Sequence, residues 1–375
     1  MNRIGIYVHI PFCKSKCKYC NFTSYVGCEN LMDDYLKSIV LEIENRKSSD
    51  VEIDTIYIGG GTPSFMPNGT IATILSAIRS NYKVLDDCEI TVECNPNSVD
   101  YAKAQEWHDS GVNRVSIGLQ SVKQSLLNVM GRTHTKADFV AAVECLQAVG
   151  FKNINVDMMI GIPKQKLSDV RQTIYAIEKL GITHISCYSL ILENNTPMHT
   201  MVKSGLLREP NEDKTINMYS YVHKYLDRIG YRRYEVSNFA IPGYECKHNV
   251  NTWHLHEYMG IGVSAHGYLN GYRYANTTSI EKYIADVSTQ GVAVDYSEEE
   301  TSFDMIEEYI MLGLRLREGI DLKYLRERFD YDLQELKKDE ISKLTSLGLI
   351  EIKDNRLFAT DNGFYVLNAI IIELV

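Results

Sequence analysis

Through the first 190 residues, short runs of β-forming apolar residues alternate with longer amphipathic stretches, the pattern of repeated β-α units around a parallel sheet. The runs Ile4–Ile10, Thr55–Ile58, Glu89–Glu93, Arg114–Ile117, Ile154–Met159 and His184–Leu190 read as strands. Between them, Leu31–Asn45, Thr70–Ser80, Tyr101–Ser110, Thr135–Val149 and Leu167–Leu180 carry helical spacing. Gly111, Gly150 and Gly181 stand at the ends of three of these stretches, where a residue free to turn left-handed closes the last turn. Six such units predict an α/β fold, a full or partial (β/α)6 TIM-like barrel whose reactive groups belong at the C-terminal ends of its strands.

From about Pro210 the rhythm changes. A Tyr-rich helical stretch (Tyr219, Tyr221, Tyr225) leads into Tyr231–Phe239 and then into a Gly- and His-containing segment, Gly243–Tyr274. Helical spacing returns at Glu299, and two short strands around a turn occupy Leu349–Thr360. Helices followed by a small β-ribbon predict a winged-helix-like C-terminal domain. The expected division is a barrel core over 1–205, a barrel extension with a substrate-facing segment over 206–295, and the C-terminal domain over 296–375. Residues 301–375 carry 15 Asp/Glu against 10 Lys/Arg, and the whole chain 49 against 39, a formal net charge of -10. That balance argues against affinity built on nucleic-acid phosphates. No apolar run approaches the roughly 20 residues of a membrane span, and the N-terminal stretch lacks a signal-peptide layout. The expectation is a cytoplasmic protein with neither nucleic-acid partner nor membrane span. Nine cysteines in such a chain read as reduced thiols or metal ligands rather than a disulfide scaffold.

Three of them form the run Cys13-x-x-x-Cys17-x-x-Cys20, directly after the first expected strand. Three thiolates within eight residues can wrap one face of an iron–sulfur cubane, whereas a structural zinc site draws four Cys/His ligands, commonly as separated pairs. Cys28 is the only near candidate for a fourth ligand and, eight residues past Cys20 in the loop before an expected helix, reads as a bystander, so one metal position stays open; the alternative is three unrelated cysteines. The spacing resembles the radical S-adenosylmethionine (SAM) superfamily. That resemblance implies a 4Fe-4S cluster on the three cysteines, SAM chelating the fourth iron, and reductive cleavage of SAM to methionine and a 5′-deoxyadenosyl radical. Further segments fall at expected strand ends: Gly59-Gly60-Gly61-Thr62-Pro63, Glu93-Cys94-Asn95-Pro96 and Gly118-Leu119-Gln120-Ser121, with Arg132 and Asp157 completing the set. A glycine triplet equally serves a tight turn, and each polar residue singly suits a cap or a solvated loop. Their shared placement is what points to one ligand site.

Together with Tyr7-Val8-His9-Ile10-Pro11-Phe12-Cys13, these segments resemble the oxygen-independent coproporphyrinogen III oxidase-like family over essentially the whole chain. The resemblance implies that Cys13, Cys17 and Cys20 ligate the cluster, and that Tyr7, Tyr19, Gly60, Gly61, Thr62, Glu93, Gln120, Arg132 and Asp157 surround SAM. The family holds decarboxylases and a heme chaperone branch. The decarboxylases carry a further cysteine two residues after the third and a longer lead before the first strand; here Phe22 takes that position and six residues precede Tyr7. Lys247-His248-Asn249-Val250-Asn251-Thr252-Trp253 resembles the branch's H-N-x-x-Y-W heme motif, with Thr252 in place of Tyr. His248 is thereby implied as a heme ligand, with Trp253 offering a ring face; a capping or core histidine is the other reading. His254, His256 and His266 lie near enough to assist but have no motif behind them, and Arg232, Arg233 and Arg273 could receive porphyrin propionates but, surface arginines being commoner than propionate clamps, are not counted as sites. The expected function is heme binding and delivery to an acceptor, with a protein reductant for the cluster. The alternatives are coproporphyrinogen III decarboxylation or another porphyrin-directed radical SAM reaction.

Overall fold

Six parallel strands pair in sequence order, each joined to the next through helical chain. The structure is a computed structural model that describes residues 2–209 and 211–375; Pro210, where the sequence rhythm shifts, lies outside them. In chain order the units are β1 (Asn2–Ile10), α1 (Met32–Asn45), β2 (Val51–Gly60), α2 (Thr70–Asn81), β3 (Lys83–Cys94), α3 (Tyr101–Asp109) and β4 (Arg114–Gln120). Then follow α4 (Gln124–Met130), α5 (Lys136–Val149), β5 (Asn153–Ile160), α6 (Leu167–Lys179) and β6 (His184–Ser189). Gly111, Gly150 and Gly181 all have positive φ, as chain reversals after helices require.

The barrel stays open. Its free edges are taken by chain from the next segment: α7 (Pro197–Lys203), α8 (Glu212–Arg228), β7 (Arg232–Arg233), β8 (Asn238–Ala240), α9 (Lys247–Trp253), β9 (Tyr258–Ile261), β10 (His266–Leu269), β11 (Tyr272–Asn276), α10 (Ile280–Gln290) and β12 (Val294–Glu299). β8 pairs antiparallel with β6, while β9 pairs parallel with β1 and carries β10, β11 and β12 outward, making a sheet of twelve strands.

Alternation along each strand sorts two faces. Ile6, Val8, Ile56, Ile58, Ile90, Val92, Val115, Ile117, Val156 and Met158 are buried against the helices. The opposite, concave face is unusually polar. Tyr7 stands beside Tyr57, Tyr57 beside Thr91, Glu93 beside Ser116 and Gly118 beside Asp157 in the strand registers. Barrel interiors are ordinarily filled by branched apolar side chains, so this one is built to hold something polar.

Helix α9 seals the end of the barrel opposite the cysteine loop. Glu89, buried at the lower part of β3, accepts hydrogen bonds from the backbone N–H of Lys247 (3.0 Å) and His248 (3.1 Å), the free donors of the first turn of α9. Asn251 Nδ2 donates to Asp54 Oδ2 at 3.0 Å. Glu89→Ala strips the partner from these buried donors and is expected to lower the unfolding free energy by about 2 kcal/mol, measured by urea denaturation; an unchanged midpoint would show α9 to be held by other contacts.

The remaining chain has its own core. It comprises α11 (Ser302–Gly313), β13 (Ile320–Asp321), α12 (Leu322–Phe329), α13 (Leu333–Leu336), α14 (Lys338–Ser346), β14 (Ile350–Lys353), β15 (Arg356–Ala359) and α15 (Leu367–Leu374). The strands form a small antiparallel sheet in the order β13-β15-β14, and Ile310, Leu325, Leu344, Leu357 and Leu374 bury one another. Helices with a terminal β-ribbon match the winged-helix-like expectation.

Candidate functional site

The loop after β1 carries Cys13, Cys17 and Cys20 at the C-terminal mouth of the barrel. Its shape is set by backbone bonds that do not involve the thiols: Cys13 N–H donates to Tyr25 O (2.9 Å), Tyr25 N–H to Pro11 O (2.7 Å) and Lys18 N–H to Met130 O (2.9 Å). From the neighbouring strand ends, a closed set of contacts joins two of the cysteines. Cys13 Sγ lies 3.4 Å from Thr62 Oγ1, Asn95 Nδ2 donates to Thr62 Oγ1 (3.1 Å), Arg132 Nη2 donates to Asn95 Oδ1 (2.8 Å), and Arg132 Nη1 reaches Cys17 Sγ at 3.4 Å. Arg132 also bonds the Gly118 carbonyl.

These groups open onto a cavity of about 450 Å³ whose wall includes the three cysteines, Tyr19, Gly60, Gly61, Thr62, Glu93, Gln120, Arg132 and Asp157. The structure thus brings together every expected site residue of the mouth except Tyr7. Tyr7 is not among the wall residues; its hydroxyl meets His9 Nδ1 at 2.9 Å. The glycines are required by approach distance. A Cβ on Gly61 would stand 2.7 Å from Ile10 O, and one on Gly60, whose φ is +106°, would strike the His9 ring. Cys28 lies outside the cavity wall, its Sγ near Val26 O.

Electrostatically the wall of the mouth sets the carboxylates Glu93, Asp157 and Glu193 against two cations, Lys16 and Arg132. Glu93 accepts from Tyr57 Oη (2.8 Å) and Gly60 N–H (3.1 Å), yet enclosure, reinforced by the Asp157 carboxylate, lifts its pKa to about 7. Enclosure also raises Asp157, against the pull of its Asn155 hydrogen bond at 2.8 Å. The Cys13 and Cys20 thiols are pushed upward by burial, so metal binding there must displace protons.

Do these residues fit a cluster and SAM? Gln120, at the end of β4 with φ +64°, turns its amide into the wall and leaves Oε1 buried with no partner among the described residues. An orphaned acceptor, two carboxylates, bare glycine backbone and an arginine meet here in one cavity. That donor set suits a ligand that carries its own amino, carboxylate and hydroxyl groups. The three cysteines face the same space as soft ligands.

His248 is placed elsewhere. It lies in α9 at the barrel base, 8% exposed, with Nδ1 2.8 Å from Thr55 Oγ1 and its ring 5.3 Å from that of Tyr57. Burial, with the Arg114 guanidinium, depresses its pKa to about 4, so the imidazole is neutral. A porphyrin plane does not reach this ring while α9 is seated. Thr252 Oγ1 donates to His248 O at 3.0 Å, which ties the substituted motif position into the helix. His254 pairs with Glu318 (3.1 Å), His256 borders a separate cavity of about 300 Å³, and His266 is exposed on β10. Sequence reasoning missed Tyr57 and Asn95, which orient Glu93 and Arg132. Tyr57 was findable: it is two residues before Gly59 and so shares the concave face.

Two family models match the chain: the Radical SAM superfamily over residues 7–176 and the HemN C-terminal domain over residues 301–366. Among solved structures, coproporphyrinogen III oxidase (HemN) from Escherichia coli shares the fold, with a TM-score of 0.87 over 100% of this chain and 90% of that one at 21% identity. The heme chaperone HemW of Lactococcus lactis subsp. lactis is 37% identical over 362 residues, 96% of this chain and 93% of that protein. The chain belongs to the HemW heme chaperone family. HemW of Bacillus subtilis is 33% identical over 95% of both chains, and HemW of Escherichia coli K12 is 35% identical over 70% of both. The radical SAM barrel with its winged-helix-like C-terminal domain is therefore the architecture of a HemW family member, as the sequence led us to expect.

Proposed function

We propose that this chain binds heme and passes it to an acceptor protein, using a 4Fe-4S cluster on Cys13, Cys17 and Cys20 and a SAM molecule in the adjoining cavity. The observation that carries this reading is the near full-length identity to proteins named as heme chaperones. When bound, the cluster supplies the electron that cleaves SAM. Around it, Arg132 holds positive charge against Cys17, Gly60 and Gly61 admit the ligand to the backbone, and Gln120, Glu93 and Asp157 offer acceptors to its polar groups. Tyr19 adds a ring to the mouth, and Tyr7 stands behind the wall against His9. Heme contact through His248 requires α9 to unseat from the barrel base. We assign 1–205 to the cluster and SAM, 206–295 to the barrel extension and 296–375 to the domain beside it, acting in the cytoplasm with a protein reductant. Among the described residues no helix is long and apolar enough to cross a membrane.

The test is an anaerobic assay of reconstituted, reduced protein with SAM and coproporphyrinogen III, run beside a heme titration. Heme uptake without porphyrin product is the expected result. Accumulation of protoporphyrinogen with 5′-deoxyadenosine would make the chain a decarboxylase.

A further inference from the structure

Helix α9, which carries His248 and Trp253, has seven residues. So short a helix has little stability of its own and stays folded by what packs against it. Glu89 and Asp54 hold it from the barrel side. On the other side it is held by the C-terminal domain, through the chain 314–319 between α11 and β13.

This loop reaches both ends of α9. At the C-terminal end, Glu318 Oε1 lies 3.1 Å from Nε2 of His254, the C-cap, and the Arg315 guanidinium lies over the Trp253 ring at 5.7 Å. At the N-terminal end the contact runs through Tyr234. Its carbonyl accepts from Arg317 N–H (2.9 Å), and its phenol accepts from the N–H of Cys246 (3.2 Å), the N-cap. Leu316 adds a bridge to Glu235 beside them. The loop itself is fixed to the C-terminal core. Arg356 on β15 donates to the carbonyls of Glu318 (2.9 Å) and Gly319 (3.0 Å) and meets the Glu318 carboxylate at 3.1 Å. Leu314 and Leu316 are buried, and a Cβ on Gly319, whose φ is +66°, would strike Leu357 O. The loop therefore moves with its domain, whereas its grip on α9 is polar and partly wet: the His254 and Glu318 side chains are 34% and 51% exposed. Such a contact adds little stability and parts readily. His248 is thus closed in by the barrel and Trp253 by the C-terminal domain, and α9 leaves its seat only when both let go.

We propose that loop 314–319 is a clamp by which the C-terminal domain keeps α9 seated, so that His248 meets heme only after this domain releases the helix. The inference rests on the heme reading above and names the part of the chain that regulates it. The full-length variant Arg315→Gln/Glu318→Gln changes one half-buried and one exposed side chain at the contact, away from the cluster and SAM cavity. Backbone amides of 247–253 should exchange with deuterium about tenfold faster in it, while those of β4 stay unchanged and so check the fold. Hemin, followed by Soret absorbance, should bind about tenfold tighter, because apparent affinity rises with the fraction of protein already open. Adding His248→Ala to the same background should cancel that gain. His254→Gln, which removes the contact from the side of α9, should act in the same direction and add little to Glu318→Gln. Unchanged exchange in α9, or faster exchange with a measurable hemin affinity left unaltered, would overturn the clamp. Faster exchange with no hemin bound by any of these proteins would overturn the heme reading instead.

Discussion

Anaerobically reconstituted protein is expected to hold about 4 iron per chain, and the triple variant Cys13→Ala/Cys17→Ala/Cys20→Ala close to none. The size of the effect follows from the wall of the mouth. The remaining cysteine in that wall is Cys94, which is buried with its thiol pushed far upward by enclosure and so held protonated. Cys28 stands outside the wall. No other thiol in the wall is free to substitute. Loss of iron will not report unfolding, because the loop is shaped by backbone bonds to Tyr25, Pro11 and Met130 that survive substitution; circular dichroism checks this. Zinc in place of iron, or iron retained by the triple variant, would remove the cluster from the account.

The ligand-free protein should lose stability as pH rises from about 4.5 to about 7, and Glu93→Gln should flatten that decline. Glu93 titrates near 7 in the folded chain against an ordinary 4.5. The folded state therefore holds this proton more tightly than the unfolded state. Below pH 4.5 both states are protonated and no difference exists; between 4.5 and 7 the unfolded chain sheds the proton first, and stability falls until the folded group also ionises. A shift of that size corresponds to about 3 kcal/mol. Glu93 is only partly buried on the cavity wall, where water reduces the penalty, so we set the effect at about 2 kcal/mol. Urea denaturation of both proteins at pH 5 and pH 8 gives the comparison. An equal loss in Glu93→Gln would assign the pH dependence to other groups.

The strands and the mouth were legible because they are local. β4 is buried from Arg114 to Gln120, and such a strand announces itself by composition. The cysteine run, the glycine triplet and the polar strand ends lie within a few residues of a strand terminus, where a β/α barrel displays its reactive groups. What escaped is long-range or short. β9 is four residues long and finds its partner in β1, with Tyr258 beside Gly5; no pattern in Gly243–Tyr274 reveals a parallel neighbour at the far end of the chain. α4 spans seven residues between Lys123 and Gly131, too few turns for a periodic signal. The burial of His248 depends on Thr55, Glu89 and Tyr57 from two other strands. The pairing of Arg233 with Asp361 joins positions 128 apart.

One phenol connects the two ends of the barrel. Tyr57 lies along the His248 ring below and donates to Glu93 above, and Glu93 in turn receives the Gly60 N–H at the rim. Linkage then works in both directions: whatever free energy a ligand at the rim exchanges with the seating of α9 is returned, equal in size, as a change in that ligand's own affinity when α9 moves. Tyr57 thus touches both the α9 histidine and the rim carboxylate, so any coupling between the two ends would pass through its phenol.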